Sequence, residues 1–306
     1  MGSRLKSCSG SRPIKLVTYQ AGQRVGLVVN ESIIDSGFDG SMLELITEWQ
    51  AVLPRLGERA RSGRGAPLGS LRLDAPIQRP GKVFAIGLNY ADHIAETQME
   101  RPKEQVWFSK AQTAINGPHD PIVIAHGAPK VDYEAELVVV IGRRGKHIPV
   151  EHAAQYVFGY CVGNDVTERK WQLRTPQWCL GKSFDTHAPI GPWITTADEI
   201  ADPHALGIRC WVNGTLRQNS NTRNLIFDIW HQIAHLSSAM TLEPGDLIFT
   251  GTPGGVGAAM SPPQFLMSGD VVRCEVEELG AIEATMIQEP PLDARQCTSD
   301  RNVQTP

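Results

Sequence analysis

The segment Val131-Asp-Tyr-Glu-Ala-Glu-Leu-Val-Val-Val-Ile141 constrains the fold of this chain more than any other. Its second half is a solid apolar run, and an apolar run without alternation predicts a strand buried on both faces. Its first half places Asp132, Glu134 and Glu136 at alternate positions. Side chains at i and i+2 of a strand share a face, about 6.6 Å apart at Cα. The spacing therefore predicts three like charges on one face at the entrance to a core, where they repel unless protons or a cation neutralise them. Two readings satisfy that condition. The acids hold a metal ion, or they form a solvated strand edge blunted by charge. Oxygen ligands without His or Cys select Mg²⁺, Mn²⁺ or Ca²⁺.

The rest of the chain gives this strand a β-rich setting. From about residue 80 onward, short apolar runs recur at Lys82–Ile86, Pro121–Ile124, Glu136–Ile141, Phe158–Asn164, Ile208–Val212, Asp246–Phe249 and Asp270–Val276, separated by Gly, Pro and Asn. Val212-Asn-Gly-Thr215 reads as a tight hairpin. One amphipathic helix is expected where Leu225, Ile226, Ile229, Trp230 and Ile233 line a face. Before residue 80, strand-like runs are followed by a helix. Ser41 and Glu44 form a capping box, the apolar period runs to Leu53, and Pro54 is expected to end it. Residues 57–70 read as a polar, glycine-rich linker. The division expected is a flexible leader over 1–13, a small N-terminal α+β domain over 14–76, a catalytic domain over 77–288 and a disordered tail over 289–306.

At 306 residues, two domains is the soft expectation. The 29 basic and 33 acidic residues give a net charge of −4, which argues against nucleic acid or a membrane surface as partner. No apolar run reaches membrane-spanning length. Six cysteines without a CxxC pair suit a reducing, cytoplasmic setting rather than a disulfide framework. Residues 1–30 carry five basic residues and no acid, a weak transit-peptide signature, but the dozen residues before the first strand-like run read better as a short flexible leader, which makes a mitochondrial setting the less favoured one.

Four further groups carry potential chemistry. Asp165 closes the apolar run Phe158–Asn164 as a third ligand, an Asx turn or a helix cap. Asn89 can cap a helix starting at Tyr90, which makes His93 and Glu96 i, i+3 neighbours. That pair is a water-activating base with its orienting carboxylate, or an incidental surface pair. Lys182 can hold an anion or an enolate, or be an ordinary surface lysine. Gly251-Thr-Pro-Gly-Gly-Val-Gly257 is a tight turn, or a loop whose N–H groups meet a ligand carboxylate. GxSxG, HExxH and Walker A motifs are absent.

Read together, these segments resemble the fumarylacetoacetate hydrolase superfamily, in its fumarylacetoacetate hydrolase domain-containing and acylpyruvate hydrolase-like branch. The resemblance lies in Ile86-Gly-Leu-Asn-Tyr-Ala-Asp-His93 with Glu96, Phe108-Ser-Lys110, Ile115-Asn-Gly-Pro118, Asp132-Tyr-Glu-Ala-Glu-Leu137, Asn164-Asp-Val-Thr167, Gly181-Lys-Ser-Phe-Asp185 and Thr250-Gly-Thr-Pro-Gly-Gly-Val-Gly257. It implies a mainly β fold with α, a mixed β-sandwich roll, and a homodimer. It implies Glu134, Glu136 and Asp165 as ligands of Mg²⁺ or Mn²⁺. His93 and Glu96 become a catalytic dyad on a lid helix, with Lys182 stabilising negative charge. Arg169, Gln172, Thr252 and Lys110 become contacts of a small dioxo acid. Glu168 and Lys170, beside Arg169, depart from the family pattern. The activity expected is hydrolysis of a carbon–carbon bond in a 2,4-dioxo acid such as an acylpyruvate, by water that His93 deprotonates. Decarboxylation or enol–keto tautomerisation of oxaloacetate on the same metal site is the alternative, and a non-catalytic ligand-binding member is a second.

Overall fold

The computed structural model describes residues 14–97 and 100–291. The expected leader over 1–13, and the tail beyond residue 291, lie outside the described residues. The central run is the strand Ala135–Ile141, and every one of its residues is buried. Leu137, Val139 and Ile141 feed one hydrophobic core, while Val138 and Val140 feed another. This is the two-faced burial that an unalternating apolar run requires.

The strand lies inside a mixed sheet. Its order is Ala66–Pro67, Ser32–Asp35, Arg24–Val29, Lys15–Tyr19, Ala188–Thr196, Val157–Asn164, Ala135–Ile141, Leu247–Phe249, Val83–Gly87 and Val106–Ser109. The N-terminal strands join through Lys15–Tyr19, which pairs antiparallel with Ala188–Thr196. On one side, the first core is closed by a second sheet ordered Thr215–Asn221, Gly207–Val212, Val271–Val276, Gly280–Gln288 and Ile122–Ile124. On the other side, helices α1 (Met42–Thr47) and α2 (Trp49–Ser62) cover the second core. The remaining helices are α3 (Ala91–Thr97), the short α4 (Arg169–Gln172) and α5 (Ile229–Ala239). The result is the expected β-sandwich roll. Among the described residues, no helix is long and apolar enough to cross a membrane.

Several local expectations change. Ser41 and Glu44 do form the capping box, but the helix breaks at Glu48 and restarts, and Pro54 lies inside α2. Burying Val52 and Leu56 against the sheet offsets the roughly 3 kcal/mol that an interior proline costs. Residues 57–62 are therefore helical rather than linker. The helix expected from Leu225 begins only at Ile229, where Asp228 caps it by accepting from the His231 N–H. Asn89 does not turn its side chain to α3. It donates to the Phe227 and Thr250 carbonyls and accepts from the Phe227 N–H. The 212–215 hairpin forms as expected, with Asn213 and Gly214 both in the left-handed region that a type I′ turn demands.

The close pairing of Val157–Asn164 with Ala188–Thr196 gives a direct test. A Cβ at Gly159 would lie 2.3 Å from the Thr195 carbonyl oxygen. Gly159→Ala is expected to destabilise the fold by about 1–3 kcal/mol, read as a lower urea midpoint with an unchanged slope.

Candidate metal centre

Asp132 and Glu134 do not continue into the central strand. Val131–Asp132 instead forms a two-stranded ribbon with Thr167–Glu168. The chain breaks at Tyr133 and Glu134 before entering Ala135–Ile141. The break is pinned from the neighbouring strand. The Glu134 N–H donates to Asn164 Oδ1 at 2.9 Å, and the Asp165 N–H donates to the Glu134 carbonyl at 2.8 Å. These bonds bring Asp165 to the two glutamates. Glu134, Glu136 and Asp165 each offer an oxygen within 4.8 Å of the others, and all three residues are buried.

Asp132, expected on the same face, has different partners. Its carboxylate accepts from the N–H groups of Gly257 at 2.8 Å and Ala258 at 2.9 Å, and from Arg169 Nε at 2.9 Å. It anchors the glycine-rich loop rather than facing the other acids. The loop is thus more than a tight turn, although the carboxylate it meets belongs to the protein. Glu168 caps α4 by accepting from the Trp171 N–H, so its charge is spent on backbone amides and not on its neighbour Arg169.

The expected substrate contacts converge on the acids. Lys182 is fully buried, not a surface lysine, with Nζ 2.8 Å from Glu134 and 2.7 Å from Asp165. Lys110 Nζ donates to Asp165 Oδ1 and to the Val166 carbonyl. Arg169 reaches Glu134 at 2.7 Å and donates to Gln172 Oε1 at 3.1 Å. The Thr252 hydroxyl donates to the Ala135 carbonyl and accepts from Gln218 Nε2. On α3, Glu96 lies 3.7 Å from His93 Nδ1 and accepts from the Gly255 N–H at 2.9 Å. The pair is therefore docked on the glycine loop rather than standing free on a surface.

Charge balance decides what the centre can hold. Desolvation raises the Glu134 pKa, but Lys182 and Arg169 outweigh it and keep the group low. Desolvation lowers the pKa of Lys182, but Asp165 and Glu134 reverse that and raise it. At Glu136 the help from Lys182 is outweighed. Burial, then Asp165 and Glu134, push it well above the usual carboxylate range, and it accepts from the Gly251 N–H at 2.7 Å. Among the described residues, no Lys or Arg pairs with it. A cluster of buried hard oxygens one positive charge short fits a divalent cation of the Mg²⁺ or Mn²⁺ kind.

Sequence reasoning missed the supports. Gln218 accepts from the Ala135 N–H and donates to Thr252 and Pro253, tying the second sheet to the site. Its strand, Thr-Leu-Arg-Gln-Asn-Ser-Asn, carries no motif that would have marked it. His187 is buried, donates through Nε2 to the Val123 carbonyl, and is lowered to about 4 by desolvation.

The model of the fumarylacetoacetate hydrolase C-terminal family matches residues 82–287. This chain belongs to the fumarylacetoacetate hydrolase family. It is 45% identical to the fumarylacetoacetate hydrolase domain-containing protein 2 homolog of Dictyostelium discoideum, over 88% of this chain and 96% of the relative. It is 44% identical to the protein of Xenopus laevis named oxaloacetate tautomerase fahd2, mitochondrial, over 92% of each. Among solved structures, it resembles maleylpyruvate hydrolase of Sphingobium sp. SYK-6 in complex with manganese(II) and pyruvate. The TM-score is 0.78 and the identity 32%, over 90% of this chain and all of the other. The family therefore holds tautomerases and isomerases as well as hydrolases.

Two measurements test the centre. Glu136→Gln is expected to weaken Mn²⁺ binding beyond the roughly 100-fold that loss of a supporting group reaches, seen by calorimetry with circular dichroism unchanged. His187 bears on acid stability. Its folded pKa lies below its unfolded value of 6.5, so below that value the unfolded chain takes up the proton first. Stability is expected to fall by up to about 3 kcal/mol between pH 6.5 and pH 4. His187→Gln flattens that limb in urea titrations.

Proposed function

We propose that this chain is a Mg²⁺- or Mn²⁺-dependent tautomerase that interconverts the enol and keto forms of oxaloacetate or a closely similar 2-oxo diacid. The observation that carries the proposal is the 44% identity, over 92% of both chains, to the oxaloacetate tautomerase of X. laevis. This was the alternative in the sequence reading, and the relatives favour it over carbon–carbon hydrolysis. The same relatives are named mitochondrial, which supports a mitochondrial setting over a cytoplasmic one. The homodimer implied by the resemblance is carried forward as part of the proposal.

The chemistry is consistent with the residues. Tautomerisation moves one proton between the enol oxygen and C3 and consumes no water. A bound divalent ion would supply Lewis acidity toward the 2-oxo oxygen. Lys110, Arg169 and Lys182 would offer charge-assisted hydrogen bonds to a dianionic substrate. Lys182, already placed between two carboxylates, would hold negative charge as it develops on the substrate. His93, beside Glu96, would carry the proton, since a neutral imidazole can take a proton at one nitrogen and return it. Glu96 would serve both His93 and the docking of the lid on Gly255.

Hydrolysis of a 2,4-dioxo acid is the second reading, supported by the likeness to maleylpyruvate hydrolase. There His93 would take its proton from water. The products separate the readings. Incubation of oxaloacetate and acylpyruvates with the metal-supplemented chain, followed by NMR and mass spectrometry, is expected to give an isomer of unchanged mass. Carbon dioxide release, or two fragments containing the oxygen of labelled water, would overturn the tautomerase reading. His93→Ala is expected to lower the rate by about 10²–10⁴, and full turnover in that variant removes His93 from the reaction.

A further inference from the structure

Tyr90 stands between the strand Val83–Gly87 and the lid helix α3. Its backbone bridges to Leu225, and its side chain is fully buried. Its hydroxyl has no hydrogen-bond partner. Buried tyrosine hydroxyls usually find one, and an orphan costs about 1–3 kcal/mol. A residue that only filled this space would serve as well as Phe, so the oxygen calls for an explanation.

The surroundings supply one. The adjacent Asn89 packs against Gly251, where a Cβ would lie 2.8 Å from the Asn89 Cβ, and donates to the Thr250 carbonyl at 2.8 Å. The Gly251 N–H in turn donates to Glu136 Oε2. Residue 89 thus lies against the loop that holds Glu136, and Tyr90 is the next residue along the chain. Burial, then the charges of Glu136 and Asp92, keep the phenol protonated, so it is a donor at neutral pH. Asp92 is already engaged, accepting from the Ser220 hydroxyl and from the His93 N–H. Glu136 has acceptor capacity left beyond its bond to Gly251.

We propose that the Tyr90 hydroxyl is a positioning donor of the metal centre, hydrogen-bonded to the Glu136 carboxylate when that carboxylate holds the divalent ion. The proposal rests on Glu134, Glu136 and Asp165 being metal ligands, and it holds for tautomerase and hydrolase alike. Carboxylate ligands are commonly fixed by such partners, whose loss typically lowers metal affinity by 10–100-fold.

Tyr90→Phe removes the oxygen and keeps the ring. In calorimetric titration of the full metal-free chain with Mn²⁺ alone, the variant is expected to bind about 10–100-fold more weakly. Its melting temperature without metal is expected to stay level or rise, because a buried orphan hydroxyl has gone. At saturating Mn²⁺, its electron paramagnetic resonance spectrum is expected to differ from that of the unaltered chain. Equal affinity, or an identical spectrum, leaves Tyr90 a packing role and overturns the proposal. Failure of the unaltered chain to bind Mn²⁺ overturns the metal reading itself, and this proposal with it.

Discussion

Four carboxylates and three cations sit together at the mouth of one buried strand, and the architecture around them answers to that electrostatic problem. Asp132, Glu134, Glu136 and Asp165 are almost wholly out of water, where an unpaired charge is costly. Lys110, Arg169 and Lys182 balance three of them. Each partner arrives from a different part of the chain, so the pairing ties the edge strand, the ribbon, α4 and the central sheet into one unit. Glu136, buried with no Lys or Arg paired to it among the described residues, is the carboxylate that a hard cation would favour in its ionised form. Breaking any one pair would strand a buried charge, which is costly.

Around this cluster the second layer is built from amides rather than charges. Asp132 holds the Gly257 and Ala258 N–H groups, Glu96 holds that of Gly255, and Glu136 holds that of Gly251. The glycine-rich loop is therefore stitched at several points to acids from the ribbon, the lid and the central strand. Gln218 adds a stitch from the opposite sheet. Through that loop, α3 is tied by Glu96 to the backbone beside Glu136.

Much of this was legible in residue order. The unalternating run after Glu136 announced a doubly buried strand, and the alternate acids before it left a cation site or a charged strand edge as the two readings. The capping box at Ser41 and the Asn-Gly hairpin at 213–214 formed as local chemistry dictates. Other local rules lost to packing. Pro54 failed to end its helix because Val52 and Leu56 gain more from burial than the proline loses. Leu225 and Ile226 stayed outside α5 because Asp228 offered a better cap. Asn89 spent its side chain on Phe227 and Thr250, contacts 138 and 161 residues away that no window of sequence contains.

The sequence by itself determined the donor chemistry: which acids, which lysines and which His–Glu pair exist, and that the candidate site offers hard oxygens rather than thiolates. Periodicity and charge are local properties, so a local reading recovers them. Only the tertiary structure decided that the Asp132 carboxylate turns to anchor a loop, that Lys182 is buried between two carboxylates, and that the Tyr90 hydroxyl has no partner among the described residues. Those outcomes depend on where the chain breaks at Tyr133 and on which distant strands it meets. Long-range geometry of that kind is set by the packing of the whole core, not by the spacing of neighbours.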